Sequence, residues 1–160
     1  MTREITLTRG LVALVDDADY DAVVAAGKWY VQPGPNTFYA RRSYKRDGDR
    51  WSIQMHNFLT GWSFVDHIDG NGLDNRRSNL RPADDSQNQM NRGAPSNNTS
   101  GFKGVGRERL GWRARIHIGG RSIYLGYFDT PIDAARAYDE AALHHYAEFA
   151  RTNFPQEISA

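Results

Sequence analysis

Val65-Asp-His-Ile-Asp-Gly-Asn-Gly-Leu-Asp-Asn-Arg-Arg-Ser-Asn-Leu80 is dense in Asp, Asn and Gly, and its reading decides the rest of the chain. Gly70, Gly72 and the Asp/Asn cluster between 69 and 75 predict a tight loop, because these residues tolerate left-handed backbone and bond their own main chain. Asn79-Leu80 then opens a return strand, and Asp84-Asp-Ser86 precedes a short helix bearing Asn88. Two strands and a helix clasping one ion is the expected arrangement. Asp66 supplies a hard anionic oxygen suited to Mg²⁺ or Mn²⁺. His67 beside it is a natural general base, since an unperturbed imidazole titrates near about 6.5. Neighbours on a strand face opposite ways, so the pair can flank one phosphate only if a twist or bulge re-aims one of them.

Working outward, the 160 residues leave room for one or two small domains. A hydrophobic fraction of 39% with 24% charged residues describes a folded chain. No apolar run reaches the roughly 20 residues that cross a bilayer. MTREITLTRG lacks the apolar core of a secretory signal, so a cytoplasmic location in a bacterial or phage-infected cell is expected. The absence of cysteine excludes disulfides and thiolate zinc sites.

Residues 1–50 read as a small β-rich scaffold, with β-branched and aromatic runs broken by Gly10, Gly27, Pro33-Gly-Pro35 and Asp47-Gly48. Asp16-Asp-Ala-Asp-Tyr20 predicts a short capped helix between strands, and Arg41-Arg-Ser-Tyr-Lys-Arg46 is a basic string able to touch a nucleic-acid backbone. His56, between Met55 and Phe58-Leu59, reads as structural or DNA-adjacent and not as a metal ligand. Residues 93–100 are small and polar and read as a linker.

Residues 101–155 follow another pattern. Trp112, Ala114, Ile116 and Ile118 alternate with Arg113, Arg115 and His117, and Ile123 and Leu125 alternate with Ser122 and Tyr124. Period two places one set inward and the basic set outward on strands joined at Gly119-Gly120. Thr130, Pro131 and Asp133 make a helix N-terminus, and Ile132, Ala135, Tyr138, Ala142 and Tyr146 form one apolar helical face. A three-stranded antiparallel sheet under one helix follows, with its other face free. Between 101 and 121 the charge is six cations against Glu108 alone, which suits a polyanion.

With these residues in view, 51–92 resembles the HNH endonucleases, in particular the phage and intron-encoded homing type in which Asn replaces the last His. Met55-His56, Asp66-His67, Asp74-Asn75, Ser78-Asn79-Leu80 and Gln87-Asn88 carry the likeness. The resemblance implies a ββα-metal fold in which Asp66 and Asn88 bind the metal, His67 activates water, and Asn79 holds the loop and orients His67. Residue 57 is Asn where that family usually has Arg. Residues 101–155 resemble the AP2 domain, through Gly101-Phe-Lys-Gly-Val105, Trp112-Arg-Ala-Arg-Ile116, Tyr124-Leu-Gly-Tyr-Phe128 and Asn153-Phe-Pro155. That likeness implies a sheet laid in the DNA major groove. Lys103, Arg113, Arg115, His117 and Tyr124 are the expected contacts, and Arg107 and Arg109 are expected to reach phosphates.

The expectation is an α+β protein that hydrolyses phosphodiesters in double-stranded DNA with Mg²⁺ or Mn²⁺, at sites chosen by the AP2 sheet. The rival is a sequence-specific DNA-binding regulator with an inactive HNH fold. An RNA-directed nuclease is disfavoured, because the sheet face lacks the several exposed aromatics that stack single-stranded bases.

Overall fold

A computed structural model describes residues 1–95 and 97–155. It is an α+β protein of small antiparallel sheets and short helices, and the chain divides into two compact units between Asp85 and Ser86.

In the first unit, β1 (Thr2–Thr6) and β2 (Val12–Asp16) form a hairpin that leads into helix α1 (Asp17–Ala25). Strands β3 (Tyr30–Pro33), β4 (Phe38–Arg46) and β5 (Asp49–Gln54) make an antiparallel meander, followed by helix α2 (Met55–Thr60). The short pair β6 (Val65–His67) and β7 (Leu80–Pro82) brackets the Asp/Asn/Gly loop. Alternate residues of the hairpin and meander meet in one core: Ile5, Ala13, Val15, Val23, Trp29, Val31, Ala40 and Met55 are all buried. The N-terminal strands, the meander and α2 therefore share one hydrophobic interior, and Leu73 of the Asp/Asn/Gly loop packs against it.

The hairpin also grips the loop directly. Leu14 donates its N–H to Leu73 O and accepts from Asn75 N, both at 2.8 Å, as a one-residue parallel bridge to Asp74. Asp16 stands at the start of α1 but makes no side-chain cap there. Its carboxylate accepts from the Arg77 N–H at 2.8 Å instead, so the capped helix expected from sequence is correct as a helix and wrong as a cap. Arg77 forks onto both oxygens of Asp19 and reaches Leu59 O, tying the return loop to α1 and α2.

The division falls at the start of helix α3 (Asp85–Met90). The second unit holds β8 (Val105–Glu108), β9 (Gly111–Ile118) and β10 (Arg121–Phe128) in the order β10-β9-β8, with helix α4 (Pro131–Tyr146) packed on one face. Thr130 accepts from Asp133 N at 3.1 Å and donates its hydroxyl to the Asp133 carboxylate, closing the N-terminus as its sequence requires. Ala134, Ala135 and Ala142 are completely buried, so α4 lies close on the sheet. Ile132, which the helical spacing placed on the apolar face, is exposed, and the buried face of α4 is formed by Ala134, Ala135, Tyr138, Ala142 and Tyr146. Buried Asp139 accepts from the N–H groups of Asn153 and Phe154 and from the Asn153 amide, while Asn153 bonds both backbone groups of Lys103, strapping the tail over the unit. Among the described residues, no helix is long and apolar enough to cross a membrane.

Candidate nuclease centre and nucleic-acid interface

β6 carries Asp66 opposite Arg81 and His67 opposite Leu80, and all three residues of the strand are buried. The two side chains meet different neighbours, as strand alternation demands. Arg81 donates from Nε at 2.9 Å and from a terminal nitrogen at 2.6 Å, both to Asp66 Oδ2. His67 meets rings instead. His56 from α2 stands edge-on at 4.9 Å between centroids, and Tyr39 from β4 lies 5.9 Å from both imidazoles.

This setting holds both histidines neutral. Burial, with the neighbouring His67, lowers the His56 pKa to about 3. Burial also lowers that of His67, opposed by the Asn75 side chain and by the negative charges of Asp69, Asp66 and Asp74. Arg76, bonded to Asp74, holds that carboxyl below its usual range. A neutral imidazole set among carboxylates is a ready proton acceptor.

Asn79 builds the loop. Its Oδ1 accepts from Asp69 N at 3.0 Å, its Nδ2 donates to Asp69 Oδ1 and Asp74 O at 2.9 Å, and its carbonyl accepts from Ile68 N. It thus fixes the backbone on either side of Asp69. Gly70 takes the left-handed conformation with its N–H on His67 O, which turns the chain directly after the imidazole. Gly72 answers to packing: a Cβ there would stand 2.5 Å from Phe38 O and from the Tyr39 ring. Asn57 bonds Trp62 O and Ser63 O, so it shapes the approach to β6.

A divalent cation is what the resemblance implies. The donor chemistry at Asp66 suits a hard ion, because a carboxylate is an anionic oxygen ligand. Mg²⁺ and Mn²⁺ need few protein ligands, since they keep several waters. Among the described residues, no group of three or more His, Cys, Asp or Glu stands as a fuller cage. Asn88 belongs to α3 in the second unit, whereas Asp66, His67 and Asn79 belong to the first.

In the second unit, β9 points Arg113, Arg115 and His117 away from the helix, and Ala114 and Ile116 into the core. Tyr124 pairs with Arg115 on the outer face and is exposed. A bulge between Tyr124 and Gly126 then resets the register, so Tyr127 pairs with Arg113 and lies over Gly111 on the outer face. Strict alternation through Ile123 and Leu125 sends Tyr127 inward, and only the bulge reverses it. Arg107 lies over the Trp112 ring at 4.9 Å, and Arg109 takes positive φ in the β8–β9 turn. Lys103 departs from expectation: its ammonium donates to Met90 O, stands 5.8 Å from the Tyr138 ring, and is lowered by burial to about 8. It points into the unit and not outward with Arg113 and Arg115.

Protein 3.8 of Escherichia phage T7 is 37% identical over 89 residues, 51% of this chain and 74% of that protein. An uncharacterized HNH endonuclease of Acanthamoeba polyphaga mimivirus is 29% identical over 141 residues, 82% of this chain and 74% of that protein. The chain belongs to the HNH endonuclease family, with an AP2 segment. The APETALA2-like protein 2 of Oryza sativa is 48% identical to this family member over 59 residues. That match spans 35% of this chain but only 14% of the plant protein, so the likeness is to one segment of a much longer chain. No family model matches this HNH-family chain.

Proposed function

We propose that this protein is a divalent-metal-dependent endonuclease that hydrolyses phosphodiesters in double-stranded DNA, with the outer face of the β8–β10 sheet selecting the site. The observation that carries the reading is the buried Asp66-His67 pair on β6, on a chain similar to a viral HNH endonuclease over most of its length. Mg²⁺ or Mn²⁺ would supply electrostatic stabilisation of the developing charge on phosphate. Asp66 would hold that ion, with Arg81 keeping the carboxylate in place. His67 accepts the proton of the attacking water, and Asn79 fixes the loop that presents it. The role of Asn88 as a second ligand rests on the resemblance alone.

On the outer sheet face, Arg113 and Arg115 suit guanine edges or phosphates, and His117 and Tyr124 flank them. Arg107 and Arg109 at the β8–β9 end suit backbone phosphates. A homing role and cleavage of a single strand are part of the same proposal, consistent with one Asp-His pair in the chain.

His67→Ala is expected to abolish nicking of supercoiled plasmid in Mg²⁺ or Mn²⁺ while DNA affinity stays within a few-fold. Cleavage at the wild-type rate by that variant would remove His67 as the base. The Asp66–Arg81 ion pair is the observation favouring the second reading, a DNA-binding regulator, since a guanidinium competes with a cation for the carboxylate. Tight binding by the wild type with no metal-dependent cut, judged against an EDTA control, would establish that reading.

A further inference from the structure

Strand β4 is longer than the neighbour on its first side. It pairs with β3 only from Phe38 to Arg41, whereas its pairing with β5 runs from Arg41 to Arg46. Residues 42–46 and 49–53 therefore project as a two-stranded ribbon, about 15 Å long at the usual rise of a strand. Asp47 and Gly48, with φ of 52° and 87°, close it by the tight two-residue turn whose twist matches that of its strands.

Directly opposed residues of an antiparallel pair share a face, and successive residues alternate. One face of the ribbon thus carries Tyr44 opposite Trp51 and Arg46 opposite Asp49. The other carries Ser43 opposite Ser52 and Lys45 opposite Arg50, and continues at its root into Arg41. This second face holds three cations and no acid. Arg41 is engaged within the meander, donating to Gln32 Oε1 at 3.1 Å and to the Ser52 hydroxyl. Lys45 and Arg50 are exposed and, among the described residues, form no ion pair. Like charges directly opposed across two strands destabilise a hairpin. The ribbon matches Arg46 with Asp49 on one face and sets Lys45 against Arg50 on the other, so the second pair is balanced only by an anion from outside. Two residues before Arg41, the same face carries Tyr39, whose ring lies 5.9 Å from that of His67. The cationic face and the candidate centre thus lie on one side of the meander.

We infer that this face of the ribbon is a second DNA-gripping surface, which holds the phosphate backbone of a duplex beside the candidate centre through Lys45 and Arg50. The inference rests on the endonuclease reading for the identity of the polyanion, and on register and charge for the contact itself. An ammonium and a guanidinium flanked by serine hydroxyls are the groups that bond phosphate oxygens. A duplex fits better than a single strand, because beyond Tyr39 this face has no aromatic ring on which bases stack; Tyr44 and Trp51 stand on the opposite face. Such a grip is independent of sequence, so it adds affinity next to the cut and leaves the choice of site to the β8–β10 sheet.

Binding of the full chain to a short duplex of arbitrary sequence, followed without divalent metal over a range of salt, reads the contact. Lys45→Ala combined with Arg50→Ala should lower the slope of log affinity against log salt by about two, one for each phosphate released. The same double variant should withstand urea at least as well as the wild type, since a repulsion has been removed. Lys45→Glu should separate the two roles further: it faces Arg50 with an opposite charge, so the fold gains stability while the slope falls as far. Unchanged slopes in both variants would overturn the inference, as would a wild type that binds no duplex. Loss of stability in Lys45→Glu would also overturn it, by making the lysine part of the scaffold. A fall seen on single-stranded DNA or RNA but not on the duplex would overturn the assignment of the partner. None of these readouts needs cleavage, so a wild type that binds and never cuts removes the endonuclease reading alone.

Discussion

His56 shows how much a single buried imidazole weighs on this fold. Its Nδ1 is enclosed with no hydrogen-bond partner among the described residues, and its pKa stands near 3, whereas the unfolded chain titrates near about 6.5. The sign follows from proton counting. Between those values the unfolded state binds a proton that the folded state refuses, so the stability contributed at neutral pH is lost as pH falls below about 6.5. By pH 5 the loss from His56 alone amounts to about 2 kcal/mol. Urea unfolding at pH 7.5 and pH 5 should show it. His56→Phe, which removes the enclosed nitrogen but keeps a ring against His67 and Tyr39, should lose that much less stability on acidification. An equal acid sensitivity in the variant would mean that other groups carry it.

Elements here are defined as much by close approach as by propensity. The loop between β6 and β7 rests on β4 at Gly72, where backbone oxygen and an aromatic ring leave no space for a methyl group. Gly72→Ala should therefore destabilise the protein by about 1–3 kcal/mol, read from urea unfolding, because the Phe38 carbonyl in β4 cannot retreat. Much of the element plan is legible in sequence. Alternation through Arg113, Ala114, Arg115 and Ile116 describes β9 as it stands, and Thr130-Pro131 marks the start of α4. Legibility ends where a residue answers to a distant partner. Asp16 has the composition of a cap, but Arg77, 61 positions away, takes its carboxylate. Tyr127 turns outward because of a bulge that no side-chain pattern announces. Lys103 matches a contact position, yet the Met90 carbonyl and Tyr138 ring draw it inward. At the candidate centre, Asp66, His67 and Asn79 stand out by residue type and spacing. Arg81, Tyr39 and Asn75 do not, since nothing local to them signals that the fold will bring them to the pair.

At the scale of the whole molecule, the chain is two folding units with separate cores. The second includes Met90, which packs beside Ile118 and whose carbonyl receives Lys103, so its natural boundary precedes the polar stretch at 93–100. A fragment of residues 86–160 should fold cooperatively by circular dichroism and thermal melting, and bind duplex DNA without cutting it. Replacing Arg113 and Arg115 together by Ala should weaken that binding and reduce its salt dependence, since every phosphate left without its cation lowers the slope by about one. A fragment that folds but binds no better than the double variant would remove the sheet as the gripping surface.

The tie between Leu14 and the Leu73–Asn75 segment carries an implication for biosynthesis. A chain emerging from the ribosome presents its first hairpin long before the partner of that hairpin exists, and Leu14 has no Leu73–Asn75 segment to pair with until some sixty further residues have followed it out. Loop closure over that distance comes late in folding. The loop that holds Asp66, His67 and Asn79 thus reaches its final geometry only when the first unit is nearly complete, an order set by connectivity.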